Sequence, residues 1–136
     1  MNKILLSIFL AVFLVQILKG IIYWIRNCFD LKEFFDTGGM PSSHSSFVTA
    51  LITIIYLIEG FSSTFAVALV LALIVMTDAF RVRRTVGEEG YLIKKLLKKN
   101  KLKTKIKFHE SEGHTPLQVI IGAILGAIIS LLVFFL

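Results

Sequence analysis

Residues 4–25, ILLSIFLAVFLVQILKGIIYWI, form an apolar run interrupted only by Ser7, Gln16, Lys19 and Gly20. A backbone in hydrocarbon has no water to bond, so a run of this length reads as a helix crossing a bilayer. Lys3 in front of it gives the segment a superficial likeness to a secretory leader. No small-residue cleavage site follows, so it reads as a retained span.

Three more apolar stretches lie further along, at about Ser45–Ile58, Ser63–Phe80 and Pro116–Leu136. The second is short for a hydrocarbon core of roughly 30 Å at about 1.5 Å per residue, and beginning it inside the preceding polar segment would lengthen it. The expected fold class is all-α, a polytopic membrane helical bundle of about four transmembrane helices with a basic amphipathic loop. At 136 residues the chain has room for a single domain, residues 1–136.

Composition agrees. Hydrophobic residues make up 56%, charged residues only 18%, and the mean hydropathy is +0.82, which points to the bilayer as solvent. With one Trp and three Tyr, any interfacial aromatic belt is thin. The net charge of +6 is concentrated in one loop beside apolar spans, which favours anionic lipid headgroups over nucleic acid as partner. The lone Cys28 excludes an internal disulfide and a multi-cysteine metal site.

Orientation follows from Arg81–Gly113, where eleven Lys/Arg face four acids, Glu88, Glu89, Glu110 and Glu112. The positive-inside rule places this loop in the cytoplasm. With four spans, Arg26–His44 is then cytoplasmic too and both termini face outward. Every unusual polar residue falls at that one depth: Lys19 and Arg26, Ser42, Ser43 and His44, Asp78, Arg81, Arg83 and Arg84, and His114. Ionisable residues at membrane depth cost roughly 2.5–3.5 kcal/mol each on insertion scales and mark functional sites. Taken singly, Lys19 also fits a snorkelling side chain; the convergence of the whole set favours function. Asp78 fits an ion pair with Arg81 or Arg84. His109 reads as solvated and Glu59 as structural.

Two segments carry the chemistry. In Gly38-Gly39-Met40-Pro41-Ser42-Ser43-His44-Ser45, two glycines and a proline set a turn, and hydroxyls and an imidazole stand where a helix begins. Free N–H groups and the positive end of the helix dipole make that position an anion site, and His44 can exchange a proton near neutral pH. An N-cap accounts for Ser42 or Ser43, but not for the glycines or the histidine. In Gly113-His114-Thr115-Pro116-Leu117-Gln118-Val119-Ile120-Ile121-Gly122, Pro116 suits a first helical turn with His114 at its mouth. Gln118, four residues on, is placed to orient the His114 ring. Gly122 and Gly126 form a GxxxG that permits close helix packing or a homodimer contact.

These blocks resemble the divergent branch of the type 2 phosphatidic acid phosphatases, in the superfamily that includes vanadium haloperoxidases. The resemblance rests on Gly-Gly-Met-Pro-Ser-Ser-His-Ser, on Val75-Met76-Thr77-Asp78-Ala79 with Val82-Arg83-Arg84, and on Gly113 to Leu117. Lys19 and Arg26 match the spacing of the superfamily's Lys-x6-Arg-Pro, with Asn27 in place of proline. Ser43 replaces the glycine of Pro-Ser-Gly-His. In the third motif His114, Val119 and Gly122 match, Gln118 stands at the Asp position, and Lys107-Phe108 stands where Ser-Arg is expected.

The resemblance implies metal- and cofactor-independent hydrolysis of a lipid phosphate. It assigns His114 as nucleophile through a phosphohistidine, His44 as proton donor, and Gln118 as the altered partner of His114. Phosphate ligands would come from Lys19, Arg26, Ser42, Ser43, Arg83 and Arg84, with Asp78, Gly39 and Pro41 in support. Phosphatidic acid, phosphatidylglycerophosphate and polyprenyl phosphates or diphosphates fit equally, drawn from the cell membrane at its cytoplasmic face. Two other readings stand beside it: a catalytically impaired relative that binds anionic phospholipid, favoured by Gln118, and a small membrane subunit docking through the glycine face. Within Tyr91–Phe108, Leu92, Ile93, Leu96 and Leu97 recur among lysines at helical spacing. That pattern fits an amphipathic helix on the membrane surface, or a solvated topology signal.

Overall fold

A computed structural model describes residues 2–25, 39–102, 104 and 113–136. Arg26, Cys28, Gly38, Lys107, Phe108, His109, Glu110 and Glu112 lie outside the described residues. Within them the chain is helical: α1 (Lys3–Ile25), α2 (Ser43–Glu59), α3 (Ser63–Thr77), a π-helical turn (Asp78–Val82), α4 (Arg83–Lys99) and α5 (Pro116–Phe135). α1, α5 and the continuous run formed by α3, the π turn and α4 are long and apolar enough to cross a membrane. α2 is also apolar but, at 17 residues, is the short member. It does begin inside the polar segment, at Ser43.

α2 is the hub. It packs on α1, α3 and α5, and α1 also packs on α5. The interfaces are built from small residues, which let helices approach without a hydrophobic drive between them. Ala11 and Ala50 are fully buried and join Ile129 and Val133 in the core, with Leu6 and Leu10 against it. Ser7 and Ser130 share a hydrogen bond of 2.6 Å, and Ser130 Oγ donates to the Ala50 carbonyl at 2.8 Å. One buried hydroxyl pair thus links α1, α5 and α2. Large apolar residues such as Phe9, Val67, Leu73, Ile74 and Leu132 lie on the outside, as suits lipid.

Gly122 and Gly126 are buried against the start of α2. A Cβ on Gly122 would collide with the Ser42 carbonyl oxygen, and one on Gly126 with that of Ser46. The GxxxG therefore serves packing within the chain, and that face is not open to a second copy.

The third apolar stretch does not end at Phe80 as expected. Helix continues through the π turn to Lys99, 37 residues from Ser63, so much of the expected basic loop is α-helical.

Candidate active site at the mouth of the bundle

Lys19 shares the buried face of α1 with Ser7, Ala11 and Val15, each four residues apart, and is only 3% exposed. Its ammonium lies 5.7 Å from the centre of the Tyr23 ring, one turn on. Gly39 closes over this pair with a φ of 90°. A Cβ there would collide with the Tyr23 hydroxyl and come within 3.0 Å of Lys19 Cε. Both the left-handed backbone and the space require glycine.

From Gly39 the chain turns through buried Pro41 into α2. Ser42 is the N-cap: its Oγ accepts from Ser45 N–H at 3.4 Å and from Ser45 Oγ at 3.0 Å. Its own N–H donates to the Gln118 carbonyl at 3.2 Å, which ties the start of α2 to α5. Ser43 and His44 occupy the first turn, half-buried, where the helix dipole is positive.

The π turn positions the remaining groups. Arg83 Nε donates to Asp78 Oδ2 at 2.6 Å. The Ala79 carbonyl accepts the His114 N–H at 3.0 Å. Gly113, with φ 57°, is pressed against α4 so closely that a Cβ would lie 2.6 Å from Arg84 N. His114 is therefore fastened to the π turn and the start of α4.

These elements bring His44 and His114 together, ring centres 6.2 Å apart and planes inclined by 58°. The charges of Arg83, Asp78 and Lys19 all reach His44, and His44 and Lys19 both bear on His114. His114 is 2% exposed, and among the described residues neither ring nitrogen has a hydrogen-bond partner. Burial holds it below its ordinary value of 6.5, although the nearby Gln118 amide acts the other way. At neutral pH it is an uncharged imidazole near the Lys19 ammonium.

A family profile described as the divergent PAP2 family matches residues 1–129. The chain belongs to the divergent PAP2 family. A relative, the uncharacterized membrane protein YuiD of Bacillus subtilis (strain 168), is 37% identical over 146 residues, covering 96% of this chain and 92% of that one. No solved structure matches. Apolar helices, family and relative agree on a PAP2-like membrane protein.

In this divergent PAP2 protein several expected site residues stand differently from the sequence reading. The Gln118 side-chain oxygen is engaged away from His114, although the amide stands near that ring. Gln118 Oε1 accepts the Thr115 N–H at 2.9 Å while Thr115 Oγ1 accepts the Gln118 N–H at 3.4 Å, a reciprocal capping box. Thr115 is the N-cap, so His114 precedes the helix and the four-residue spacing does not hold there. Asp78 pairs with Arg83 rather than Arg81 or Arg84, because the i→i+5 closure of a π turn changes which residues share a face. Arg84 is half-exposed and pairs with Glu88 at 3.0 Å, which leaves Arg83 as the arginine toward His44. The Ser42 hydroxyl is engaged as a cap. Arg26 lies outside the described residues.

Tyr23 and the Ala79 carbonyl were not singled out by the sequence reading. The spacing of Tyr23 four residues beyond Lys19 was a legible signal for the first; nothing in residue type marks the second.

Proposed function

We propose that this membrane protein hydrolyses a lipid phosphomonoester or diphosphate through a phosphohistidine. The observation that carries this reading is the pair of imidazoles, one buried and unpartnered, 6.2 Å apart beside Lys19 and Arg83. Two imidazoles at one site are the nucleophile and the proton donor that such a transfer needs.

An His114 nitrogen attacks phosphorus as the bond to the lipid alkoxide breaks, and protonated His44 gives its proton to the leaving oxygen. Neutral His44 then takes a proton from water as that water attacks phosphorus. The P–N bond breaks, releasing inorganic phosphate and restoring His114. Lys19, Arg83 and the first-turn N–H groups of α2 balance the phosphoryl charge, the main requirement of such a transfer. The Lys/Arg excess next to the π turn supports a site at the cytoplasmic leaflet.

The test is phosphate release by purified protein in detergent from a panel of lipid phosphates, with chelator present. Turnover by the parent protein that is lost in His114→Ala and in His44→Ala is expected. Turnover that survives His114→Ala would sink the histidine mechanism. A second reading, anionic phospholipid binding without turnover, is favoured by one observation: the Gln118 side-chain oxygen is taken by the capping box, and among the described residues neither ring nitrogen of His114 has a hydrogen-bond partner. Binding of the same lipids by a protein that releases no phosphate would select it.

A further inference from the structure

α4 leaves the bundle with an apolar face that no other helix covers among the described residues. Val82, Val86, Leu92, Ile93 and Leu96 are 45–59% exposed, and their spacing gathers them on one side of the helix. Thr85 and Glu89 interrupt that side. Arg84, Lys94, Lys95, Lys98 and Lys99 lie on the other, and α4 as a whole carries six basic residues against two acidic ones. Among the described residues the principal packing of α4 is on the π turn preceding it.

Length adds a second argument. The run from Ser63 to Lys99 is 37 residues, about 55 Å of helix, against a hydrocarbon core of roughly 30 Å. Once α3 has crossed, some 25 Å of helix remains at the membrane boundary. It emerges through a π turn, a kind of break at which helices change direction. A segment so tethered, apolar on one side and rich in lysine on the other, is matched by the surface of the bilayer it has just left.

We infer that α4 lies along the membrane surface, with Val86, Leu92, Ile93 and Leu96 at the headgroup–acyl boundary and its lysines on anionic headgroups. The occupant of the apolar face is an anionic lipid surface, and the inference stands whether or not the histidine site turns over. Because Arg83 opens α4 and Gly113 presses on Arg84, docking of this helix also fixes the segment that carries one of the site's cations.

The experiment places single nitroxide labels on the full chain in vesicles of phosphatidylcholine, or of an equimolar mixture with phosphatidylglycerol. In a Cys28→Ser background, Ile93→Cys reports the apolar face and Lys95→Cys the basic one. Relaxation by oxygen should dominate at position 93 and by a water-soluble nickel chelate at position 95. The contrast should be larger with phosphatidylglycerol and should shrink with added salt. An anionic surface contributes about 1 kcal/mol per nearby lysine, or roughly fivefold in the docked ratio. Lys98→Gln with Lys99→Gln should therefore lower the docked ratio on phosphatidylglycerol vesicles by about 25-fold. Equal access of the nickel chelate to both positions would overturn the proposal. So would spin–spin broadening at position 93 that disappears on dilution with unlabelled protein, which would make a second copy the occupant.

Discussion

At the scale of single residues, the position that departs most from the superfamily pattern, Gln118, has a structural role that its motif register hides. At the third residue of α5 its side chain reaches back to the Thr115 N–H, a task glutamate performs as well. Gln118→Glu should keep the cap, leaving thermal stability within about 0.5 kcal/mol, as is usual for such surface changes. It also adds a carboxylate beside the His114 ring, and phosphate release should rise. Gln118→Ala should keep the Thr115 cap but lose the reciprocal bond to the Thr115 N–H, and about 0.5–1.5 kcal/mol of stability with it. Equal rates in parent and Gln118→Glu proteins would show that charge at this position is irrelevant to turnover. His114 supports a second expectation. Burial lowers its pKa, so below 6.5 the unfolded chain binds more protons than the folded one. Stability from this group is full above that value and is lost as pH falls through the lower folded value. The unfolding midpoint should drop more steeply on acidification in the parent than in His114→Gln, and a parallel fall in both would contradict it. The limb of the rate profile that reports His114 should likewise lie below 6.5. The histidines, Lys19 and the glycine turns were legible from residue type because each is costly or strained where it stands. The partners of Gln118 and Asp78 were not, since both lie where the backbone leaves α-helical geometry and periodic spacing no longer tells which side chains meet.

At the scale of elements, two approaches hold the histidine-bearing segments in register: Gly122 and Gly126 against the start of α2, and Gly113 against the start of α4. The sequence showed the glycine pair and its capacity for close packing, but not whether the partner helix lay in the same chain, since spacing alone is silent on that. The apolar stretches located α1, α2 and α5 well. The end of α3 was misjudged because hydropathy falls at Arg81 whereas helical geometry persists to Lys99; polarity and helicity are separate properties at a membrane boundary. The packing makes a sharp expectation. Gly126→Ala sets a methyl group against the Ser46 carbonyl, backbone that cannot rotate aside, and should cost about 1–3 kcal/mol as overpacking does. Ile128→Ala on the exposed side of the same helix should cost far less. Thermal unfolding of the two in one detergent checks this, and equal midpoints would mean that α2 and α5 do not meet at that distance.

At the scale of the whole molecule, a hydroxyl network and the histidine cluster lie at opposite ends of the bundle. Toward the start of α1 and the end of α5, Ser7 and Ser130 are satisfied by each other and by the Ala50 carbonyl, and Lys3 Nζ donates to the Phe134 carbonyl at 2.8 Å. At the other end stand Lys19, His44, Asp78, Arg83 and His114, with an imidazole whose nitrogens have no partner among the described residues. A bundle with its imidazole pair at one end presents that pair to one leaflet, and which leaflet depends on orientation. The cluster of Lys/Arg beyond the π turn should hold that end in the cytoplasm. In a Cys28→Ser background, Phe61→Cys lies at the α2–α3 link, where Phe61 is 83% exposed, and Asn100→Cys lies just beyond α4. A membrane-impermeant maleimide applied to intact cells should label position 61 directly and position 100 only after permeabilisation. The reverse pattern would turn both histidines outward, and the lipid phosphate would then have to come from the opposite leaflet.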